Sequence, residues 1–369
     1  YVDVQVAPSH QSIDEAIDNI ISDCGKSNIT YAEVIYWPIV IPIISIGWRS
    51  YLKWMVDRAL VLSDIFKLCR QYVIVSFLGL DLMGIIAELS RKMGKRSLFI
   101  SHGTHPIPVN DCHEKELTNL CKHFMHGDYT DIALSLPVQE THLHYFKKKY
   151  TYVKNNEIKT DPVLFAQVNK SDKESLKRKY GLQPDDFVFL HATSNTERFL
   201  FIETFDEFFS SVRNIIMTID SIAHMRLILR LHPGFGLTDD EVRYLLPESD
   251  NYIISSSGPF ADVLSAADAL VSYSSTTIDE ALLNRIPVLL YDKWNRYNHF
   301  NTPIFENKDS KGIYPVCYVN NEFKLHDAMQ FIRDERNIFA QHDERYNQYR
   351  YHENYKKNLF SFIENALQL

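Results

Sequence analysis

The sequence predicts an α/β protein in which two doubly wound, Rossmann-like domains face a cleft, followed by C-terminal helices. Three observations carry this expectation. Runs such as 72–77 (YVIVSF) and 287–291 (PVLLY) are apolar without alternation, as parallel strands buried on both faces are. Helical periodicities lie between such runs, which is the order of a parallel sheet with crossover helices. The 369 residues also break at a polar stretch, 150–173, leaving enough chain on either side for a domain each.

Taken in order, residues 2–6 suit a short strand. Ser12-Ile-Asp-Glu15 has the spacing of a capping box. Ile13, Ala16, Ile17, Ile20 and Ile21 then recur at helical spacing up to a stop at Gly25. The stretch from Val34 to Trp48 holds fifteen residues without a charge. That is short of the roughly 20 a spanning helix needs, and Pro38 and Pro42 would break one. It reads as a buried strand and loop. The sharper reading is an apolar surface making peripheral contact with a membrane, anchored by Trp37, Trp48, Trp54, Arg49 and Lys53. Strands at 72–77, 96–101 and 131–136 and helices at 80–93 and 138–149 complete a first domain expected over 1–155.

A second domain is expected over 156–337, with a helix at 175–180. Its strands fall at 187–190, 226–231, 252–255, 269–273 and 288–291, and its helices at about 199–217, 238–246, 259–266, 276–284 and 324–333. A last helical stretch, 338–369, is rich in Tyr and charge and is expected to pack back across the domains.

A formal charge of −8 argues against a nucleic-acid partner, since phosphate backbones select basic surfaces. The five cysteines are scattered, without a C-x-x-C pair, which fits a reducing compartment. No leader pattern opens the sequence. The expected location is therefore cytoplasmic, peripheral at the inner face of the cell membrane.

Ligands of doubly wound sheets bind beyond the carboxyl ends of the strands, so the loops there are the places to look for chemistry. After 226–231 come His232-Pro233-Gly234, preceded by Arg230, which together can donate to a phosphate. After 269–273 come Ser274, Ser275 and Thr276, hydroxyls that open a helix and suit an anion. One turn further in, Glu280 can accept from a ribose diol. The loop after 187–190 offers Thr193, Ser194 and Asn195 as donors and Glu197 and Arg198 as charges. In the first half, His102-Gly103-Thr104-His105 follows a strand, with Asp111 in the same loop; a histidine there can serve as a general base. His and Cys residues crowd 102–126, but their spacing fits no zinc pattern, so neither a metal nor a cofactor is expected. P-loop, G-x-G-x-x-G and G-x-S-x-G motifs do not occur.

The succession His-Gly-Thr (102–104), Lys-Arg-Lys-Tyr-Gly-Leu (177–182), Arg-Leu-His-Pro (230–233), Ala-Asp-Ala-Leu-Val-Ser-Tyr-Ser-Ser (267–275) and Pro-Val-Leu-Leu-Tyr (287–291) resembles the GT-B superfamily. Within it, the likeness is to bacterial surface-polysaccharide transferases: capsule-type sialyl- and Kdo-transferases and CDP-glycerol glycerophosphotransferases. It spans about 72–291 and is more specific in the second half. Glycerophosphotransferases tend to show Trp-His-Gly-Thr-Pro and Asp-Tyr-Ser-Ser. Here Ser101, His105 and Ser272 stand in place of the Trp, Pro and Asp, and Glu280 is nearer to the ribose-binding Glu of sugar transferases.

The resemblance implies a metal-independent glycosyltransferase, with 1–155 as its acceptor-side domain and 156–337 as its nucleotide-donor domain. It would move a sugar from a nucleotide-activated donor, CMP-linked by preference, to a surface polysaccharide or lipid-linked glycan. His102 is the expected base, with His105 or Asp111 as substitutes. Arg230, His232, Ser274, Ser275 and Thr276 are expected on the leaving phosphate, with Ser194, Arg198 and Glu280 also on the donor nucleotide. Glu197 would be the nucleophile if configuration is retained through a double displacement. The alternatives are a CDP-glycerol-type glycerophosphotransferase, a nucleotide-sugar epimerase of similar two-domain fold, and a non-catalytic glycan- or nucleotide-binding module.

Overall fold

The computed structural model describes residues 10–25, 30–31, 34–35, 41–69, 71–77, 79, 81–101, 103, 107–108, 128–149, 155–168, 172–193, 204–272, 275–298, 300, 302–307, 315–335, 343–351 and 355–367.

The first helix, α1 (His10–Gly25), starts before Ser12, so that residue lies within the first turn instead of capping it. A short antiparallel pair follows, β1 (Thr30–Tyr31) with β2 (Val34–Ile35). The apolar stretch then becomes helical. A wide, π-type turn over Ile43–Trp48 runs straight into α2 (Arg49–Leu68). Its inner face is held by Val56 and Leu52 against Ile13 and Ile17 of α1. Arg49 bonds Asp14 at 2.9 Å and Asp18 at 2.7 Å, and Lys53 bonds Asp14 at 2.8 Å. These two cations, expected at a membrane surface, are thus committed to α1. The outer face is uncovered: Ile43 is 59% exposed, Ile46 71% and Trp48 53%. Over 41–48 the buried strand-and-loop reading is corrected accordingly, because a helix packed on one face leaves the other to solvent; β2 keeps a short strand at 34–35, and Trp37 lies outside the described residues.

The first sheet is built from β3 (Ile74–Ser76), α3 (Asp81–Lys92), β4 (Ser97–Ile100), β5 (Ile107–Pro108), β6 (Asp131–Leu134), α4 (Pro137–Lys149) and β7 (Asn156–Lys159). Its strands run parallel in the order β3-β4-β6-β7. Every residue of β4 and β6 is buried, Ser97 and Asp131 included, whereas β3, at the edge of the sheet, leaves Val75 exposed although the run 72–77 reads as buried on both faces. β7 lies past residue 155, where the first domain was expected to end, and pairs with β6 along its length.

The second half comprises α5 (Lys173–Lys179), β8 (Phe187–Ala192), α6 (Phe205–Asp220), β9 (Met225–Arg230), α7 (Asp239–Leu245), β10 (Tyr252–Ser255), α8 (Phe260–Ala266), β11 (Ala269–Ser272), α9 (Thr277–Leu283), β12 (Val288–Tyr291), β13 (Tyr297–Asn298), β14 (Val316–Val319), α10 (Leu325–Asp334) and α11 (Lys356–Leu367). Thr204 with Glu207 and Thr238 with Glu241 form full capping boxes that fix the starts of α6 and α7. The six-stranded sheet is parallel in the order β10-β9-β8-β11-β12-β14. The order reverses between β8 and β11, which puts the crevice of a doubly wound sheet at the carboxyl ends of those two strands. Lys177 is 1% exposed; its Nζ reaches Asp268 at 2.9 Å and the Asp186 carbonyl at 2.6 Å. Asp268 also accepts the Val188 N–H at 3.0 Å. This part of the 177–182 and 267–275 motifs therefore clamps α5 to the sheet.

Among the described residues the halves meet at several places, two of which involve their strands. β5 pairs antiparallel with β13, Ile107 opposite Asn298 and Pro108 opposite Tyr297. α11 returns to the first sheet, where Phe362 packs with Leu98, Ile100 and Ala133 beneath the Arg96 guanidinium, 4.5 Å from the ring centre. Among the described residues, no helix is long and apolar enough to cross a membrane.

Candidate active site

The site is assembled from the carboxyl ends of strands in both sheets. On the second sheet, Thr193 follows β8 and is buried. Its N–H donates to the Arg230 carbonyl at 2.9 Å, and its Oγ1 accepts the His232 N–H at 2.8 Å. The loops after β8 and β9 are thereby locked together. His232 is exposed, and its Nδ1 accepts the Gly234 N–H at 3.0 Å. A neutral imidazole that accepts at Nδ1 carries its proton on Nε2, so the ring is a donor at that nitrogen.

Arg230, expected on the leaving phosphate, has different partners. It is 8% exposed, and its guanidinium donates to Ser255 Oγ at 3.1 Å, to the Gly258 carbonyl at 2.6 Å and to the Ser257 carbonyl. A buried fork satisfied in this way holds the loop after β10 in place. At the neighbouring strand end, His191 is buried with its Nδ1 2.8 Å from the Val271 carbonyl, and burial pushes its pKa down.

After β11, Ser275 Oγ accepts the Thr277 N–H at 3.3 Å and the Thr277 hydroxyl at 2.9 Å. Thr276 precedes α9 in helical conformation, without a side-chain capping bond. Thr276 and Glu280 line a cavity of about 290 Å³ together with Phe77, Leu164 and Phe165. Phe77 comes from the end of β3, and Leu164 and Phe165 from the connection between the two sheets. The cavity is therefore shared by both halves.

Glu280 is the one carboxylate lining this cavity among the described residues. Its Oε1 accepts the Ala166 N–H at 2.8 Å. Burial raises its pKa, and the bond from Ala166 opposes the rise. A carboxylate with apolar neighbours and one remaining oxygen is a strong acceptor for hydroxyl donors such as those of a sugar ring.

The first sheet approaches the same helix. Ser101 Oγ donates to the Gly103 carbonyl at 3.2 Å, both residues being buried just past the end of β4. Gly103 abuts α9: a Cβ there would stand 2.6 Å from Thr276 Cγ2 and 3.0 Å from Asp279 Oδ2. Only glycine permits this approach.

His102, His105, Asp111, Ser194, Glu197, Arg198 and Ser274 lie outside the described residues. Of the remaining expected residues, Thr276 and Glu280 share the cavity, His232 stands past the end of β9, separated from β11 by β8, and Ser275 buttresses the start of α9. Sequence reasoning missed Phe77, Leu164 and Phe165. The apolar island Val163-Leu-Phe-Ala166 inside an otherwise polar connection was the available signal.

No family model matches the chain, and no curated protein matches it. Solved structures do. The S. aureus MnaA–UDP structure aligns with a TM-score of 0.55 at 11% identity, over 98% of this chain and 95% of that one. A putative UDP-N-acetylglucosamine 2-epimerase from Listeria monocytogenes aligns with a TM-score of 0.52 at 11% identity, over 89% of this chain and 81% of that one. At such identities the likeness is one of fold, and it covers both halves. With its two parallel sheets, its shared crevice and its returning C-terminal helix, the chain has the GT-B fold.

Proposed function

We propose that the protein is a metal-independent glycosyltransferase that uses a nucleotide-activated sugar. The observation that carries this reading is the cavity shared by the two halves, with Glu280 aimed into it among Phe77, Leu164 and Phe165 at the crevice of the second sheet. Glu280 would take the ribose hydroxyls. His232, with Ser274, Ser275 and Thr276, would face the phosphate, and Ser194 and Arg198 would add donors from the loop after β8. Arg230 would act by holding the loop after β10. In the transfer step the acceptor hydroxyl loses its proton to a base, for which His102 is proposed with His105 or Asp111 as substitutes. The acceptor oxygen bonds the anomeric carbon, and the bond to phosphate breaks with its electron pair leaving on the nucleotide. Glu197 would enter as nucleophile only in a retaining reaction. A CMP-sugar donor and a surface-polysaccharide or lipid-linked acceptor follow from the sequence resemblance. The exposed apolar face at Ile43, Ile46 and Trp48 supports a peripheral contact with the inner face of a membrane, where a lipid-linked acceptor would lie.

A second reading, a nucleotide-sugar epimerase, is favoured by the two structural likenesses that span both halves, one to a UDP-bound protein and one to a putative UDP-N-acetylglucosamine 2-epimerase. Thermal stabilisation by CMP, CDP, UDP, GDP and ADP tests the donor, because a ligand of the folded state raises the melting temperature. CMP should stabilise most; stabilisation by none of the five would end the nucleotide reading. Incubation with the matching nucleotide sugar separates the chemistries. A transferase needs an added acceptor, whereas an epimerase changes the sugar without one.

A further inference from the structure

The connection between the halves is fastened to α9 by three hydrogen bonds from two side chains. Glu280 Oε1 accepts the Ala166 N–H at 2.8 Å. Asn284 Nδ2 donates to the Ala166 carbonyl at 2.8 Å, and Asn284 Oδ1 accepts the Val168 N–H at 2.9 Å. Nδ2 also donates to the Glu280 carbonyl at 2.8 Å. Residues 280 and 284 stand one turn apart on the same face of the helix. They hold segment 164–168 as a neighbouring strand would, although it belongs to no sheet. Leu164 and Phe165, the first residues of that segment, line the cavity that Glu280 also lines.

We propose that segment 164–168 is a strap coupled to donor occupancy, with Glu280 shared between Ala166 and the nucleotide and Asn284 as the positioning residue. The proposal rests on the nucleotide reading of the cavity. A carboxylate that receives ribose hydroxyls on one oxygen is held in its ionised form, and an ionised acceptor makes the stronger bond to Ala166 on the other. The tightened strap sets Leu164 and Phe165 as a wall. Because the strap is also the covalent link between the sheets, filling the cavity restrains the two halves. Coupling of this kind is reciprocal: whatever factor the nucleotide adds to strap closure, strap closure adds to nucleotide affinity.

Amide hydrogen exchange on the full chain tests this, using whichever of CMP, CDP, UDP, GDP or ADP raises the melting temperature most. Saturating nucleotide should slow exchange at Ala166 and Val168 by about tenfold, an ordinary coupling strength. Asn284→Ala, which removes two of the strap's bonds, should weaken nucleotide binding by a similar factor. A merely structural Asn284 would lower the melting temperature and leave the affinity of the folded protein unchanged, which would overturn the proposal. A nucleotide that stabilises the protein without slowing exchange at Ala166 and Val168 would overturn the strap alone. If no nucleotide stabilises the wild type, the donor reading falls and the strap with it. The exchange measurement on the wild type decides the matter even if the variant does not fold.

Discussion

At Glu280, burial disfavours the charged carboxylate more than the Ala166 N–H restores it, so the folded protein holds this proton above the ordinary carboxyl value of 4.5. A raised carboxyl pKa stabilises the fold below its unfolded value, and that contribution is lost as pH rises through the folded value. Binding of ribose hydroxyls works in the opposite direction, because it uses the ionised form. Nucleotide affinity should therefore grow with pH across the range in which stability declines. Glu280→Gln should raise the melting temperature at neutral pH, weaken nucleotide binding and flatten its pH dependence, as parallel thermal and binding titrations would show. His232 differs from Glu280 in being exposed at a loop, with little packing to lose. If it donates to the departing phosphate, His232→Ala should lower kcat by about 10²-fold while leaving the melting temperature unchanged. A variant that keeps its turnover would remove His232 from the mechanism.

Among the elements, the start of α9 and the turn after β4 meet through a missing side chain. Gly103→Ala would set a methyl against Thr276 Cγ2, a contact 2.6 Å apart before relaxation. The variant should lose about 1–3 kcal/mol of stability by denaturant titration. Thr276→Ser, which deletes that methyl group, should recover part of the loss in the double variant, while the φ of +157° at position 103 and the nearby Asp279 Oδ2 keep the rest. The long helix α2 gives a different kind of prediction. Ile43 and Ile46 lie on its uncovered approach, so Ile43→Ser with Ile46→Ser should spare the melting temperature and abolish co-sedimentation with anionic liposomes. Wild-type protein that does not sediment with liposomes would refute the membrane contact.

α2 was not legible as a helix because it carries apolar residues on two faces. Val56, Ala59 and Phe66 are turned inward, while Val61, Ile65 and Leu68 are exposed, which blurs the amphipathic period. β7 (NEIK) was hidden for the opposite reason: it is a polar edge strand, half-exposed, defined by its pairing with β6 and not by its own residues. Strands such as YIIS and VLLY could be read because burial on both faces leaves its mark in composition. The same divide runs through the site. The order strand, serines, helix, glutamate is local and visible in the chain. The arrival of Phe165 and Ala166 beside Glu280 depends on the path of the connection, which no local pattern encodes.

Across the whole molecule, the ring of Phe362 sits in the core of a sheet whose strands lie far earlier in the chain. Phe362→Ala should cost about 3–5 kcal/mol, visible as a lowered denaturation midpoint. The consequence reaches beyond stability, to the order in which the protein is made. β4 and β6 leave the ribosome long before residues 356–367 exist, so Leu98, Ile100 and Ala133 wait without the cover that α11 will bring. The cluster that buries Phe189, Leu227 and Leu229 in the second sheet is closed by Leu325, Met329 and Ile332 of α10, which are made before α11. The half made first is thus the half that matures last, and during that interval its uncovered sheet face is the surface a chaperone would meet.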